Sequence, residues 1–331
     1  MRFGKLFVRT GIRNSRRKNM SSFSSSTSPA LCDFDANLLH KDLKETMEYH
    51  VNQARTHANV QLFVVPGSNL SDSEEALKLA KTAVTDLNTC VIATAGVHPY
   101  NTGTDIYNES TIEKLLSMIR DEPYSSTCMA VGETGLDYSD GFPDKELQKP
   151  WFRSHVQFAI EHQKPLFLHV REAKSDFLSI LREYNFSDEG PPPVRCCVHC
   201  FTGTTEELRT YVQMGFYIGL TGYTINTIDA AEKAKVAGEI ANPDDENPEE
   251  TIRDWLEIIP HDRLVIETDA PYMGFKGCRK TESKKKNQKY PNVPASLGSV
   301  CDFIAKMSGR TYDEVALTTT QNTMRFFGRE E

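Results

Sequence analysis

Residues 263–272 read RLVIETDAPY. A short apolar run in this stretch ends abruptly in two carboxylates, Glu267 and Asp269, and Pro271 stops the strand because it has no backbone donor. The pattern predicts a buried strand with acids at its carboxyl end. A buried carboxylate is costly unless something offsets its charge, and a bound cation or a reacting water is a common reason to keep one. Pairing with a nearby lysine is the alternative interpretation.

The same unit, a short apolar run followed by a helical stretch, repeats along the chain from residue 31. Eight runs fit, and they span residues 31–36, 60–65, 90–97, 128–132, 165–170, 194–198, 216–221 and 264–268. Amphipathic stretches predict helices at 73–86, 145–162, 173–184 and 205–214, among others. Strands that alternate with helices indicate a parallel sheet, and eight such units close into a TIM (β/α)8 barrel. We predict one α/β barrel domain over residues 31–331.

Side chains of the metal-binding type follow six of the eight predicted strands, always at the carboxyl end. They are Asp35, His98, Glu133, His169, His199 and Asp269. The active site of a TIM barrel forms at this end of the strands. Histidines that only complete a core would lie at both ends, so the one-sided pattern predicts a shared metal centre.

The charge of the chain is unevenly distributed. The net charge is −8, while residues 1–30 carry seven Lys or Arg and no acid, which leaves −8 − 7 = −15 for the rest. An acidic body needs a local basic patch or a metal to bind nucleic acid. A basic loop from Lys276 to Lys289 follows the eighth strand. We predict that this loop lies over the barrel mouth and contacts a phosphate backbone.

Residues 1–30 are basic and serine-rich, which resembles an organelle transit peptide. A disordered extension, or an upstream start before an initiator at Met20, is equally consistent with the pattern. The eight cysteines form no regular framework and indicate a reducing compartment. We therefore predict cytoplasm or nucleus, or the mitochondrion if residues 1–30 are a targeting signal. No apolar run reaches membrane-spanning length. An acidic stretch at 232–257 is interpreted as an insertion without chemistry.

Four motifs resemble the successive signatures of the TatD family of metal-dependent deoxyribonucleases. They are GETGLDY at 132–138, HVRE at 169–172, HCFTG at 199–203 and ETDAP at 267–271. GVHP at 96–99 and the closing residues 322–328 fit as well, so the resemblance runs in order from about residue 31 to 328. It implies an amidohydrolase-like barrel that hydrolyses phosphodiester bonds of DNA with divalent metal ions, often as a 3'-5' exonuclease.

The resemblance also implies roles for individual residues. Glu133, His169 and His199 correspond to metal ligands. Asp269 corresponds to a ligand that also takes the proton of the attacking water, which makes it catalytic together with Glu133. His98 and Arg171 correspond to positions near the bound phosphate.

The chain departs from the family pattern in two places. Many members carry His-x-His at the first strand, where this chain has Asp35-Ala36-Asn37. Oxygen ligands in place of two imidazoles favour a hard ion such as Mg²⁺, with Mn²⁺ or Zn²⁺ as alternatives. The Arg-Asn-Glu-Pro of the family is replaced by YPNVP at 290–294, and Lys289 is our candidate to supply the missing positive charge to the substrate.

Our main hypothesis is hydrolysis of DNA with two divalent ions. Glu133 holds both ions, His169 and His199 fix one of them, and Asp35 with Asp269 favours the other. Two alternatives remain open. The first is a metal-dependent ester hydrolase for another substrate such as D-aminoacyl-tRNA, because the fold alone does not choose the bond. The second is a catalytically inactive module that binds nucleic acid through the basic loop. No obligate protein partner is evident.

Overall fold

The computed structural model describes residues 29–237, 247–280 and 292–329. Its eight parallel strands form one sheet in which each strand pairs with its neighbours in chain order. The strands are β1 (Leu31–Asp33), β2 (Val60–Val65), β3 (Cys90–Ala95), β4 (Cys128–Asp137), β5 (Leu166–Arg171), β6 (Cys196–Val198), β7 (Tyr217–Leu220) and β8 (Leu264–Ile266).

Helices alternate with these strands. Within the described ranges they are α1 (Met47–Ala58), α2 (Leu70–Asp86), α3 (Glu109–Arg120), α4 (Lys145–Glu161), α5 (Lys174–Glu183), α6 (Thr205–Gln213), α7 (Tyr223–Ala237), α8 (Pro248–Ile258), α9 (Leu297–Ser308) and α10 (Tyr312–Phe326). None of these helices combines the length and the hydrophobicity that crossing a membrane requires. The four helices that we located by residue number each lie within a few residues of their predicted bounds.

Backbone contacts join the segments that follow β1 and β8 and complete the ring. The amide of Asn37 donates to the carbonyl of Ala270 at 2.9 Å, and the amide of Asp269 donates to the carbonyl of Asp35 at 2.9 Å. Ala36 and Ala270 form a parallel bridge. The predicted TIM barrel is confirmed, and its strand ends converge at one mouth.

Strand β4 is longer than predicted. It continues through Gly132 and Gly135, although glycines in a sequence suggest that a strand ends. Gly132 has φ +138°, and a Cβ there would lie 2.3 Å from the carbonyl oxygen of Phe167. Gly135 has φ +146°, and its Cβ would lie 1.8 Å from the carbonyl oxygen of His169. These glycines allow β4 to approach β5 closely. The predicted end at residue 132 is therefore wrong, and the observed end is Asp137.

The stretch 232–257 is not a simple insertion. Apart from Asn247, its described residues lie in α7 and α8, which stand between β7 and β8 where the barrel requires a helical connection. The Asn247 side chain begins α8 by accepting from the amide of Glu249. Residues 238–246 lie outside the described residues, as do residues 1–28 and 281–291. The predicted extension, and most of the predicted basic loop, therefore stay predictions.

An aromatic layer fills the barrel below its mouth. The rings of Phe34 and Phe167 stack with centroids 5.2 Å apart, and Phe326 from α10 packs edge-on against Phe34 at 5.2 Å. The Phe167 ring also contacts the imidazole of His199, with centroids 4.9 Å apart. These side chains are buried. The predicted ligands therefore rest on an apolar floor that excludes water.

The buried imidazole of His155 ties α4 to the segment after β3. Its Nδ1 donates to the carbonyl oxygen of Trp151 at 2.6 Å, and its Nε2 accepts from the amide of Val97 at 2.9 Å. These two contacts require the neutral ring with its proton on Nδ1. Since Val97 precedes His98, this buried histidine fixes the backbone that carries a predicted site residue.

The titration of His155 should make stability depend on pH. An unfolded chain protonates its imidazoles below about pH 6.5, whereas burial lowers the pKa of His155 in the folded protein to about 4. Between these values the unfolded state binds more protons, so the free energy of unfolding decreases as pH falls. We expect this group to remove about 2–3 kcal/mol over that window.

The variant His155→Gln isolates this contribution. Glutamine offers a donor for Trp151 and an acceptor for Val97 but does not titrate. In urea denaturation at intervals from about pH 7 to pH 4.5, the variant should lose less stability than the wild-type protein. Parallel stability curves for the two proteins would contradict the assignment.

Candidate metal centre

The carboxylate of Glu133 is the point at which three imidazoles meet. Its Oε1 lies 2.7 Å from Nε2 of His199, 3.2 Å from Nε2 of His98 and 3.3 Å from Nδ1 of His169. Glu133 belongs to β4, and the histidines belong to β5 or follow β3 and β6. Four neighbouring strands thus deliver one carboxylate and three imidazoles to one place.

Two sets of side chains present ligand atoms that all lie within 4.8 Å of one another. The first set is His98, Glu133 and His169, and the second is Asp35, Glu133 and His199. Glu133 belongs to both sets. The arrangement is that of two adjacent cation sites with a shared carboxylate between them.

The hydrogen bonding of Asp35 and His199 fits a bound cation. Within the part of the chain that the structure describes, neither oxygen of Asp35 nor the Nδ1 of His199 has a hydrogen-bond partner, although all three atoms are buried. Oδ2 of Asp35 and Nδ1 of His199 are 3.1 Å apart, but the angles of a hydrogen bond are not met. Buried acceptors without donors are costly. Carboxylate oxygens and an imidazole nitrogen are suitable ligands for a divalent ion, so these residues fit one.

The protonation of the centre is set by burial and by neighbouring charges. Burial raises the pKa of the Asp35 carboxyl well above its usual value, against the opposing effect of His199. Burial alone would also raise the pKa of Glu133, but the surrounding imidazoles, His98 and His199 first, hold that pKa well below its usual value. Burial lowers the pKa of His199, and the carboxylates of Glu133 and Asp35 outweigh it and raise this pKa well above the usual value.

Two further carboxylates border the centre, and both are buried. Oε1 of Glu267 accepts from the amide of Cys200 and lies 3.8 Å from Nδ1 of His199. Oδ1 of Asp269 accepts from Nδ2 of Asn37 at 2.9 Å. Burial raises the pKa of Glu267 to about 7 and that of Asp269 to about 6, in both cases against the attraction of His199. The accumulated negative charge favours a cation between these groups.

A second layer of contacts fixes the orientation of His169. Its Nε2 donates to Oδ2 of Asp137 at 2.7 Å, which leaves Nδ1 facing Glu133. Oδ1 of Asp137 accepts from the amide and the hydroxyl of Ser139, at 2.9 and 2.5 Å. The buried side chain of Gln148 exchanges two hydrogen bonds with the backbone of Asp137, at 2.8 and 2.6 Å. Such a carboxylate sets the tautomer of a ligating histidine.

The structure arranges the predicted residues differently from our hypothesis in two respects. His169 groups with His98, and His199 groups with Asp35, whereas we expected His169 and His199 to share one ion. Asp269 borders the centre but belongs to neither set. The reason is the strand order, because β4 lies between β3 and β5, which brings His98 and His169 together on one side of Glu133.

The outcomes differ among the three residues that we predicted to contact the substrate. His98, which we expected only near the phosphate, is a member of the first set. Arg171 is exposed at the carboxyl end of β5, on the mouth side of the barrel. Lys289 lies outside the described residues, so its contact with substrate stays a prediction.

The predicted site residues do not include Asp137 or Glu267. The signal for Asp137 was its position four residues after Glu133 on the same strand, because side chains two and four residues apart share one face. Glu267 was visible as an acid at a strand end. Its contact with the Cys200 amide had no signal in the sequence, since the two residues are 67 positions apart.

Residues 32–328 match the family described as TatD related DNase. The chain belongs to this family. Among its curated TatD relatives, the 3'-5' ssDNA/RNA exonuclease TatD of Escherichia coli (strain K12) is 31% identical over 271 residues, which cover 82% of this chain and 89% of that protein. The protein of the same name from Edwardsiella piscicida is 30% identical over 297 residues, covering 90% and 99%. The resemblance drawn from the motifs is confirmed.

Solved structures of other proteins share the fold. A hydrolase of the TatD family from Entamoeba histolytica superposes with a TM-score of 0.72 at 23% identity, covering 92% of this chain and 100% of that one. An amidohydrolase from Saccharomyces cerevisiae gives a TM-score of 0.70 at 21% identity, covering 90% and 99%. These two likenesses show that the chain shares the barrel fold of those proteins.

The variant Asp137→Asn tests the second layer of this TatD centre. The amide removes the negative charge that holds His169, so we expect the affinity for Mn²⁺ to fall about 10–100-fold, measured by isothermal titration calorimetry. The matched control is Asp176→Asn. The Asp176 carboxylate accepts from the hydroxyl of Tyr138 and lies outside the centre. Equal Mn²⁺ affinities for the two variants would show that Asp137 has no role in metal binding.

Proposed function

We propose that this protein is a metal-dependent nuclease that removes nucleotides from the 3' end of single-stranded DNA, and of RNA as well. The observation that supports this most is the pair of three-residue sets that share Glu133 at the barrel mouth. The curated relatives are named as 3'-5' ssDNA/RNA exonucleases and match most of the chain. Two adjacent cation sites are a common arrangement in enzymes that cleave phosphodiester bonds.

In this mechanism the chain would hold two ions, with Glu133 a member of both sets. His98, Glu133 and His169 would bind the first ion, and Asp35, Glu133 and His199 the second. Divalent cations, when bound, activate water for attack near neutral pH and stabilise the charge that develops on phosphorus. The apolar floor formed by Phe34 and Phe167 keeps bulk water away from the centre from below.

Asp269 is our candidate for the group that takes a proton from the attacking water. Its pKa, raised by burial to about 6, lies closer to neutrality than that of an ordinary carboxylate, which suits a general base. Nδ2 of the Asn37 side chain donates to Oδ1 of this carboxylate at 2.9 Å and so fixes its orientation. Arg171, exposed at the end of β5, would contact a phosphate of the bound strand.

The ligand types favour Mg²⁺ or Mn²⁺ at the second set. That set holds two carboxylates and one imidazole, and oxygen-rich sites prefer hard ions. The first set has two imidazoles and one carboxylate, which accommodates Mn²⁺ or Zn²⁺ as well. We therefore propose that Mg²⁺ or Mn²⁺ supports activity.

Labelled single-stranded oligonucleotides test the proposed function directly. With Mg²⁺, a 5' label should appear in a ladder of progressively shorter products and a 3' label in mononucleotides, and EDTA should abolish both. Glu133→Gln should lower kcat/KM by at least about 100-fold, because it weakens both sets at once. The control Glu206→Gln changes an exposed acid that pairs with Lys174 outside the centre, and it should keep wild-type activity.

Three results would contradict the proposal. They are cleavage that EDTA does not affect, equal activity of Glu133→Gln and wild-type protein, and release of label from the 5' end first. An aminoacyl-tRNA offered in the same assay separates nuclease from esterase activity, since only an esterase releases the amino acid and leaves the RNA intact.

A further inference from the structure

Two aromatic side chains stand beside the metal centre at the barrel mouth. The rings of Tyr100 and Phe142 meet edge to face, with centroids 5.7 Å apart at 81°. The Phe142 ring is nearly parallel to the imidazole of His169, at 6.3 Å and 23°, and lies 6.0 Å from that of His98. Phe142 thus connects an outer ring with two members of the first set.

The outer ring is open to solvent. The Tyr100 side chain is 61% exposed. Isolated exposed apolar side chains are ordinary, but an aromatic ring in contact with the border of an active site marks a binding surface. Whatever binds there must also reach the metal centre.

The backbone that carries Tyr100 is held firmly in place. Residues Pro99–Asn101 form a 3-10 turn, in which the amide of Asn101 donates to the carbonyl of His98 at 2.8 Å. The Asn101 side chain donates to the carbonyl of Ser68 at 2.7 Å. Farther along the loop, the indole of Trp151 donates to the carbonyl of Asp105 at 2.8 Å. A ring on such a support loses little entropy when a ligand covers it.

The same turn orients a candidate metal ligand. The amide of Tyr100 donates to Nδ1 of His98 at 3.1 Å, which directs Nε2 of that imidazole toward Glu133. Only one residue separates Tyr100 from His98. The position of the exposed ring is therefore fixed relative to the metal centre. A substrate that places a phosphate at the centre has its next chemical group beside this ring.

We propose that Tyr100 and Phe142 form a stacking subsite for one unpaired nucleobase adjacent to the scissile phosphate. The inference rests on the proposed nuclease function and extends it to the part of the substrate that carries no charge. Neutral aromatic rings bind the flat face of a base, and such stacking tolerates every base because each has a π-face. Bases inside a duplex are already stacked on their neighbours, so this subsite selects single strands.

The variant Tyr100→Ala measures the contribution of the ring. We expect KM for a single-stranded oligonucleotide to rise about tenfold with kcat nearly unchanged, because stacking contributes equally to the ground state and the transition state. Tyr100→Phe keeps the ring and should keep the wild-type KM. The control Tyr49→Ala removes an exposed tyrosine, 44% accessible, from α1 and should also leave KM unchanged.

Substrates that lack one base distinguish stacking from a general effect on the site. Oligonucleotides with a single abasic residue at the terminal or the penultimate 3' position are compared with the complete strand. At one of these two positions, loss of the base should raise the wild-type KM to that of Tyr100→Ala on the complete strand. On that abasic strand, Tyr100→Ala should raise KM no further.

The outcomes separate this inference from the proposed function. Two outcomes would overturn the stacking subsite and leave the nuclease function intact, provided that the wild-type protein cleaves the strands. In the first, Tyr100→Ala has an unchanged KM. In the second, Tyr100→Ala raises KM by the same factor on the complete strand and on both abasic strands. A wild-type protein that cleaves none of these strands with Mg²⁺ or Mn²⁺ overturns both.

Discussion

The barrel mouth depends on the contacts between the Glu133 carboxylate and three imidazoles. A buried carboxylate without partners is strongly unfavourable, and here Oε1 has His199, His98 and His169 within 2.7 to 3.3 Å. The three partners come from three different strand ends. The charge of Glu133 can therefore be balanced only when strands β3 to β6 have come together, so the fold and the proposed chemistry rest on the same group.

The side chains around Glu133 offer two kinds of surface to a nucleotide. Carboxylates and imidazoles provide ligand atoms for cations, and the cations would attract phosphate in an otherwise acidic protein. Tyr100 and Phe142 provide a neutral surface directly beside it. A single-stranded nucleic acid offers both a charged backbone and exposed bases, so it matches both surfaces at once.

Much of the fold and of the site could be predicted from the sequence, because both depend on periodic patterns. Short apolar runs that alternate with helices predicted the barrel, and ligand-type residues at one end of the strands predicted where the centre lies. The extent of β4 could not be predicted, since Gly132 and Gly135 suggest from the sequence that the strand ends. Both glycines are in fact required by the close approach of β4 to β5. The grouping of His98 with His169 depends on strand order in space. The contact of Asp137 with His169 likewise appears only once β4 and β5 are paired.

The most direct test of the shared-carboxylate account is the anomalous diffraction of crystals soaked in Mn²⁺. The account predicts two anomalous peaks, one beside His98 and His169 and one beside Asp35 and His199. Each peak should lie about 2–2.5 Å from a carboxylate oxygen of Glu133. Manganese bound elsewhere on the protein, with no peak within reach of Glu133, would contradict the account.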